Sequence, residues 1–252
     1  MGRRVGLPEG LPQALSYAAS QPCIVIATDF DGVLAPIVLD PMAARAVDGT
    51  IEDLRRLAGR PGVHVAVVSG RDLSTLSQLT GVGLDEPIRL VGSHGAESNV
   101  EGDRGALTPS QTAVLTRLKR QVRALRESAR GIRIEYKPSA VVVHTRGLAD
   151  AEKKVATQGA TALGRQPGVH QKLGKDVVEL TVVRADKGTA VMDLAAEVGA
   201  DAVVYLGDDA TDEDVFSRLG PHDVGIKVGD GETTARWRVD SPGQVAEVLH
   251  LL

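Results

Sequence analysis

The sequence predicts an α/β protein: a doubly wound parallel sheet of Rossmann-like type with an α+β domain inserted into it. Three observations lead there. Apolar runs at 24–28, Val63–Val68 and 88–91 each stop abruptly at small or polar residues and are followed by a turn or helix. Short apolar runs bounded by Gly and Pro read as strands buried on both faces, and their alternation with helices implies right-handed parallel crossovers. Between about residues 98 and 183 the texture changes to helix, strand, strand, twice over, and the parallel pattern then resumes.

Taken in order, residues 11–20 have mild helical periodicity, and the first apolar run ends at Asp29 and Asp31. A Pro-containing loop leads to a helix at 48–57, with Asp48 as its expected N-cap. The strand Val63–Val68 ends in Ser69-Gly70-Arg71 and is followed by a helix at 72–79, and the strand at 88–91 ends in Gly92-Ser93-His94-Gly95-Ala96-Glu97. Residues 99–105 are polar and Gly-rich, a linker by composition. The inserted part then reads as a basic helix at 109–130, strands at 132–136 and 140–145, a helix at 149–163, and strands at 169–172 and 177–183. A helix Lys187–Val198, a strand at 202–206, a helix at 212–218, a strand at 223–228 and a last helix Pro242–Leu251 complete the chain. The expected division is a core of 1–104 and 184–252 around an inserted domain of 105–183.

The 252 residues suffice for this arrangement and for a substantial core. Hydrophobic content of 42% and charged content of 25% are ordinary for a soluble enzyme, while aromatics at 2% leave Val, Leu, Ile and Ala to fill the interior. The net charge of −4, with no basic stripe evident along the chain, argues against nucleic acid as a partner. Cys23 is the only cysteine, which excludes an internal disulfide and a cysteine metal cage. After Gly2, Arg3 and Arg4, Pro8, Glu9, Pro12 and Gln13 interrupt any signal-like apolar stretch, and no run of 18 apolar residues exists. A cytoplasmic protein with no membrane partner is the expectation.

Ligands of open α/β sheets bind at the carboxyl edge of the strands. Asp29 and Asp31, two carboxylates at i, i+2 just before Gly32, suit that edge to a divalent cation and a phosphoryl group together. The topology brings Ser69 with Arg71, Lys187, and Asp208 with Asp209 and Asp212 to the same edge. Each has a plainer alternative: Ser69 as a helix N-cap, Lys187 as a solvated residue in a first helical turn, the 208–214 acids as helix-terminal charges. The acidic string lacks the Gly and closing Glu of a calcium-binding EF-hand. No G-x-G-x-x-G follows the first strand, and there is no P-loop.

Asp29-Phe30-Asp31-Gly32-Val33, Ser69-Gly70-Arg71, Lys187-Gly188 and Gly207-Asp208-Asp209 resemble the four motifs of the haloacid dehalogenase superfamily of phosphotransferases. The fuller strings DFDGVLAPI (29–37), VVSGR (67–71), GSHGAE (92–97), VHTR (143–146) and GDDATDEDVF (207–216) resemble those of trehalose-6-phosphate phosphatases, a likeness spanning about residues 24–246. Two positions depart from that pattern: Val33 stands where many superfamily members have Thr, and Thr181 with Val182 where the family usually has a basic residue and Pro after the Glu at 179. The second departure bears on the sugar, not the reaction.

The resemblance implies an Mg2+-dependent hydrolase acting on a small sugar phosphate, as a monomer or weak homodimer. It implies Asp29 and Asp208 as side-chain ligands of the metal, with the main-chain carbonyl of Asp31 as a third. Asp209 and Asp212 are expected to support that set from outside it. Asp29 is the expected nucleophile and Asp31 the acid and base. Nearness to Asp29 and burial are expected to favour the protonated form of Asp31. Ser69, Gly70, Arg71 and Lys187 are expected to hold the phosphate. Lys137 and Glu179 match family positions that contact the sugar, and Arg146, His144, Glu97 and His94 are further candidates. Hydrolysis of another sugar or pseudo-disaccharide phosphate, a phosphomutase, and a non-catalytic sugar-phosphate sensor are the competing readings.

Overall fold

The computed structural model describes residues 6–100, 107–183 and 185–252. Gly2, Arg3 and Arg4, most of the linker expected at 99–105, and the expected boundaries at 104/105 and 183/184 involve residues outside this set. The chain clusters into two compact units, residues 1–103 with 185–252, and residues 104–184.

The first unit holds a seven-stranded sheet. Its strands are β1 (Ile24–Thr28), β2 (Val63–Val68), β3 (Ile88–Gly92), β4 (Glu97–Ser98), β9 (Ala202–Gly207), β10 (Val224–Val228) and β11 (Trp237–Val239), in the order β11-β10-β9-β1-β2-β3-β4. All neighbouring pairs are parallel except β3 with β4. β1 lies at the centre because all five of its residues are apolar or small enough to be buried on both faces. It pairs with β2 from Ile24 opposite Val63 and with β9 from Ile24 opposite Ala202.

Helices cover both faces of the sheet. Leu11 and Leu15 of α1 (Leu11–Ala19), Leu54 and Leu57 of α2 (Thr50–Ala58), Leu76 of α3 (Leu73–Thr80) and Val245, Val248 and Leu249 of α8 (Pro242–Leu251) pack with Ile24, Ile26 and Val204 on one side. Val191 and Leu194 of α6 (Lys187–Val198) and Val215 and Phe216 of α7 (Glu213–Phe216) pack with Val25, Ala27 and Tyr205 on the other. Each such side chain contributes about 1.5–3 kcal/mol by leaving water.

The structure corrects several local expectations. Asp48 does not cap α2: Gly49 occupies the N-cap with φ +86, and no side chain bonds the first turn. Asn99, expected to open a linker, is stapled to β3, its side chain accepting from the Leu90 amide at 2.8 Å and donating to the Ile88 carbonyl at 3.0 Å. The expected helix at 212–218 shortens to α7. β4 and β11 were not anticipated, because two or three residues carry too little periodicity to register and both strands sit at sheet edges.

The second unit is a four-stranded antiparallel sheet, order β5-β6-β8-β7, formed by β5 (Arg133–Tyr136), β6 (Ala140–His144), β7 (His170–Gly174) and β8 (Val177–Thr181). Two helices, α4 (Pro109–Ser128) and α5 (Asp150–Gly164), cover one face. Leu115, Leu118 and Val122 of α4 and Ala156 and Ala160 of α5 pack with Val141, Val143, Val178 and Leu180. α4 begins at a capping box, Thr108 and Gln111 each satisfying the other's backbone amide.

Candidate active site

The site is built at the carboxyl end of β1. The Asp29 amide extends the ladder to the Leu206 carbonyl at 2.9 Å, and the chain then turns within a buried anchor of Phe30, Val33 and Leu34. Asp29 is buried. Its Oδ1 accepts the Phe30 amide at 2.6 Å and its Oδ2 accepts the Lys187 ammonium at 2.6 Å. Gly32 has φ +79, and a Cβ there would lie 2.0 Å from Asp208 Oδ2. Only glycine lets the 29–32 turn close against the Asp208 carboxylate.

Lys187 is the first residue of α6, which Asp186 caps by accepting the Thr189 amide at 2.7 Å. The solvated alternative for Lys187 fails, because the side chain is 1% exposed. Its Nζ lies 2.6 Å from Asp29, 2.8 Å from Asp212 Oδ1 and 3.8 Å from Asp209. Asp212, fully buried, accepts the amides of Asp208 at 2.8 Å and Asp209 at 2.9 Å on Oδ2, and the Tyr205 hydroxyl at 2.6 Å on Oδ1. It therefore fixes both the acidic loop and the lysine. Lys227, buried on β10, donates to the Asp208 main-chain carbonyl and to the Val228 carbonyl.

Burial pushes the Asp29 carboxyl up and Asp212 adds to it, while Lys187 pulls it back down. Lys187 loses to burial but gains more from Asp29, Asp212 and Asp209, so its ammonium is held charged. Burial, then Asp212 and Asp209, push Asp208 up to about 6. Asp209 is pushed up by burial too, but Lys187 and the Thr211 hydrogen bonds outweigh this and hold it low.

Asp31 and Arg71 form a two-bond ion pair, Nε to Oδ2 and a terminal guanidinium nitrogen to Oδ1, each at 2.6 Å. The expectation that burial and Asp29 dominate the surroundings of Asp31 is thus corrected: its side chain is 30% exposed and Arg71 takes both oxygens. Ser69 does not cap a helix. Asp72 caps α3 through the Thr75 amide at 2.9 Å, while Ser69 Oγ accepts the Arg71 amide at 3.3 Å and shapes the 69–71 turn. Glu97 is buried and committed to the protein, accepting the Leu73 amide at 3.1 Å and the Ser93 hydroxyl. His94, with φ +57, sits against Gly70, where a Cβ would lie 2.7 Å from its ring.

Carboxylate oxygens of Asp29, Asp209 and Asp212 lie within 4.8 Å of one another, a cluster of hard oxygen donors of the kind a divalent cation takes, but the Lys187 ammonium already stands among them. Of the expected ligand side chains this cluster includes Asp29 and not Asp208, which instead reaches the 29–32 turn. Among the described residues at this centre, the carboxylates of Asp29, Asp31, Asp208, Asp209 and Asp212 face the cations Arg71, Lys187 and Lys227. The Asp208 carboxylate lies against the 29–32 turn, where a Gly32 Cβ would meet it, so a cation there would relieve a carboxyl that burial, then Asp212 and Asp209, push up.

In the inserted unit, taken by itself, Glu179 of β8 stands in register with Val142 of β6 and Lys172 of β7, on the sheet face opposite the helices. Lys137, in the β5–β6 turn, pairs with Glu179 at 3.2 Å. His144 pairs with Glu135 at 2.8 Å, a partner that the sequence reading passed over. Arg146 is exposed in the turn after β6. Tyr205 and Lys227 were also passed over. Their signals were available: one hydroxyl and one charge, each alone in a buried strand.

Residues 27–243 match the family model described as trehalose-phosphatase. The trehalose-phosphate phosphatase of Mycobacterium tuberculosis is 38% identical over 260 residues, an alignment covering 96% of this chain and 64% of that protein. Among solved structures, a trehalose-6-phosphate phosphatase related protein superposes with a TM-score of 0.71 at 28% identity, covering 90% of this chain and 95% of the other. The Aspergillus fumigatus trehalose-6-phosphate phosphatase superposes with a TM-score of 0.70 at 25% identity, covering 98% of each. The matched residues run from the strand that delivers Asp29 through Lys187 and the Asp208 loop, so the chain belongs to the trehalose-phosphatase family.

Proposed function

We propose that the chain is a magnesium-dependent phosphatase that hydrolyses trehalose 6-phosphate to trehalose and inorganic phosphate through an aspartyl-phosphate. The observation that carries this reading is the buried Asp29 carboxylate at the end of a central parallel strand, gripped by a buried lysine that also grips Asp212. The trehalose-phosphate phosphatases among its relatives support it.

In this mechanism an Asp29 oxygen attacks phosphorus and the bond from phosphorus to the sugar oxygen breaks, Asp31 giving its proton to that oxygen. Asp31 then takes a proton from water as the water oxygen attacks phosphorus, the bond to Asp29 breaks, and phosphate leaves. Lys187 offers a fixed charge to the phosphoryl oxygens, and Ser69 with the Gly70 and Arg71 turn offers hydrogen bonds to them. The Arg71 pair with Asp31 must open for proton transfer, which frees the guanidinium for the phosphate. The Asp29 and Asp208 side chains and the Asp31 main-chain carbonyl would hold magnesium, which would supply the positive charge that lets a carboxylate approach a phosphate dianion.

The decisive test is phosphate release from trehalose 6-phosphate with and without magnesium. Release that falls to background under chelator and returns with magnesium is expected; no release with the metal present overturns the reading. A panel of phosphorylated disaccharides addresses the rival substrate, which Thr181 and Val182 favour by departing from the family pattern next to Glu179.

The Lys137–Glu179 pair is assigned to sugar recognition, with His144 and Arg146 as further candidates on the inserted unit. Glu179→Ala is expected to lower kcat/KM for the sugar phosphate by about 100-fold, since it removes a charged partner from a sugar hydroxyl. Hydrolysis of para-nitrophenyl phosphate, which has no sugar, should change little. Equal losses on both substrates would remove Glu179 from recognition. Among the described residues no helix is long and apolar enough to cross a membrane. The reading has the chain acting in the cytoplasm on a small diffusible substrate, as a monomer or weak homodimer, without nucleic acid or membrane.

A further inference from the structure

Four donors converge on Asp212. Two amides occupy Oδ2, which leaves Oδ1 to be shared by the Lys187 ammonium at 2.8 Å and the Tyr205 hydroxyl at 2.6 Å. We propose that Tyr205 is a positioning residue: its hydroxyl, by holding Asp212 Oδ1, keeps Lys187 bridged to Asp29 instead of captured by Asp212. The inference deepens the phosphatase reading and rests on it for its kinetic consequence.

The fold makes room for this contact. Tyr205 stands in β9, fully buried, and its register neighbours are Ala27 on β1 and Gly225 on β10, the smallest residues available. Its ring meets Phe216 edge to face, centroids 5.6 Å apart. A phenylalanine would fill the same space with the same packing and no polar atom to satisfy, so the hydroxyl is what this position adds.

Lys187 spans 2.6 Å to Asp29 and 2.8 Å to Asp212, two buried carboxylates competing for one ammonium. A carboxylate oxygen that already accepts a short hydroxyl bond attracts a second donor less strongly. Removing the hydroxyl concentrates the pull of Asp212 on Lys187 and draws it away from the nucleophile. Asp29 then meets the phosphate dianion with less positive charge beside it, and formation of the phosphoenzyme slows.

The test compares Tyr205→Phe, which deletes only the hydroxyl, with Phe216→Leu, which loosens the same packing and leaves the hydroxyl bond in place. With magnesium present, Tyr205→Phe is expected to lower kcat about 10-fold on both trehalose 6-phosphate and para-nitrophenyl phosphate, with KM changed by less than about twofold. Phe216→Leu is expected to lower the melting temperature while kcat stays within about twofold of the parent. In protein labelled with 15N-lysine, the Lys187 ammonium resonance, assigned by its loss in Lys187→Met, should shift in Tyr205→Phe and stay in Phe216→Leu. That signal is read whether or not the chain hydrolyses the sugar phosphate, so an inactive parent with a shifted resonance counts against the function and for the positioning. An unshifted resonance, an unchanged kcat, a kcat loss matched by Phe216→Leu, or a Tyr205→Phe chain that does not fold each overturns the proposal.

Discussion

Asp29→Asn is expected to abolish phosphate release, by about 10⁴-fold or more, and to leave no phosphate on the protein in an acid quench. The substitution is nearly isosteric, and Lys187 keeps Asp212 as a buried partner at 2.8 Å, so the fold should survive it. The amide can still occupy the turn but is a far weaker nucleophile. Asp31→Asn should also stop turnover, yet it leaves Asp29 free to attack, so labelled phosphoenzyme should accumulate with a substrate whose leaving group needs no proton. Covalent phosphate trapped on the Asp29→Asn chain would mean that another residue attacks.

Lys187→Met should damage both activity and stability. The side chain is 1% exposed and its ammonium is shared by Asp29 and Asp212, so its loss strands two buried carboxylates. Breaking a buried pair in this way costs about 3–5 kcal/mol. The pH dependence has a definite sign. Burial already raises Asp29 above its ordinary value, and removing the ammonium raises it further. A raised carboxyl gives its full contribution below its unfolded value, about pH 4, and loses it as pH climbs towards the folded value. The variant should therefore melt far below the parent in neutral buffer and approach it in acid, as thermal scans across the two conditions would reveal. A constant gap at every pH would mean that the carboxylates are not what the lysine neutralises.

Much of this was legible in the sequence because the chemistry coincides with periodicity. Asp29 and Asp31 follow an apolar strand, Lys187 opens a helix, and Asp208 ends another strand, so reading the elements placed the acids at one edge. What escaped were relations that only packing creates. No pattern in the sequence says that Arg71 will clasp Asp31, that Glu97 will spend both oxygens inside the fold, or that Asp212 will anchor Lys187. Tyr205 and Lys227 stand out as one hydroxyl and one charge in apolar strands, but the partners that give them a role, Asp212 and the Asp208 carbonyl, are set by packing. Asp48 was misread for a related reason: a good capping side chain lost to a glycine one residue later, whose left-handed backbone begins the helix without it.

The central strand has a consequence for how the molecule is made. β1 has β2 as one neighbour, less than 40 residues downstream, but its other neighbour, β9, is separated from it by the whole inserted unit, and the Cys23 amide meets Asp201 across 178 positions of chain. During synthesis, the amino-terminal strands emerge with one hydrogen-bonding edge of β1 uncovered, while the inserted unit can complete its own small sheet by local pairing. The core is thus the last part to close, and the interval before β9 leaves the ribosome is when this chain is most exposed to aggregation.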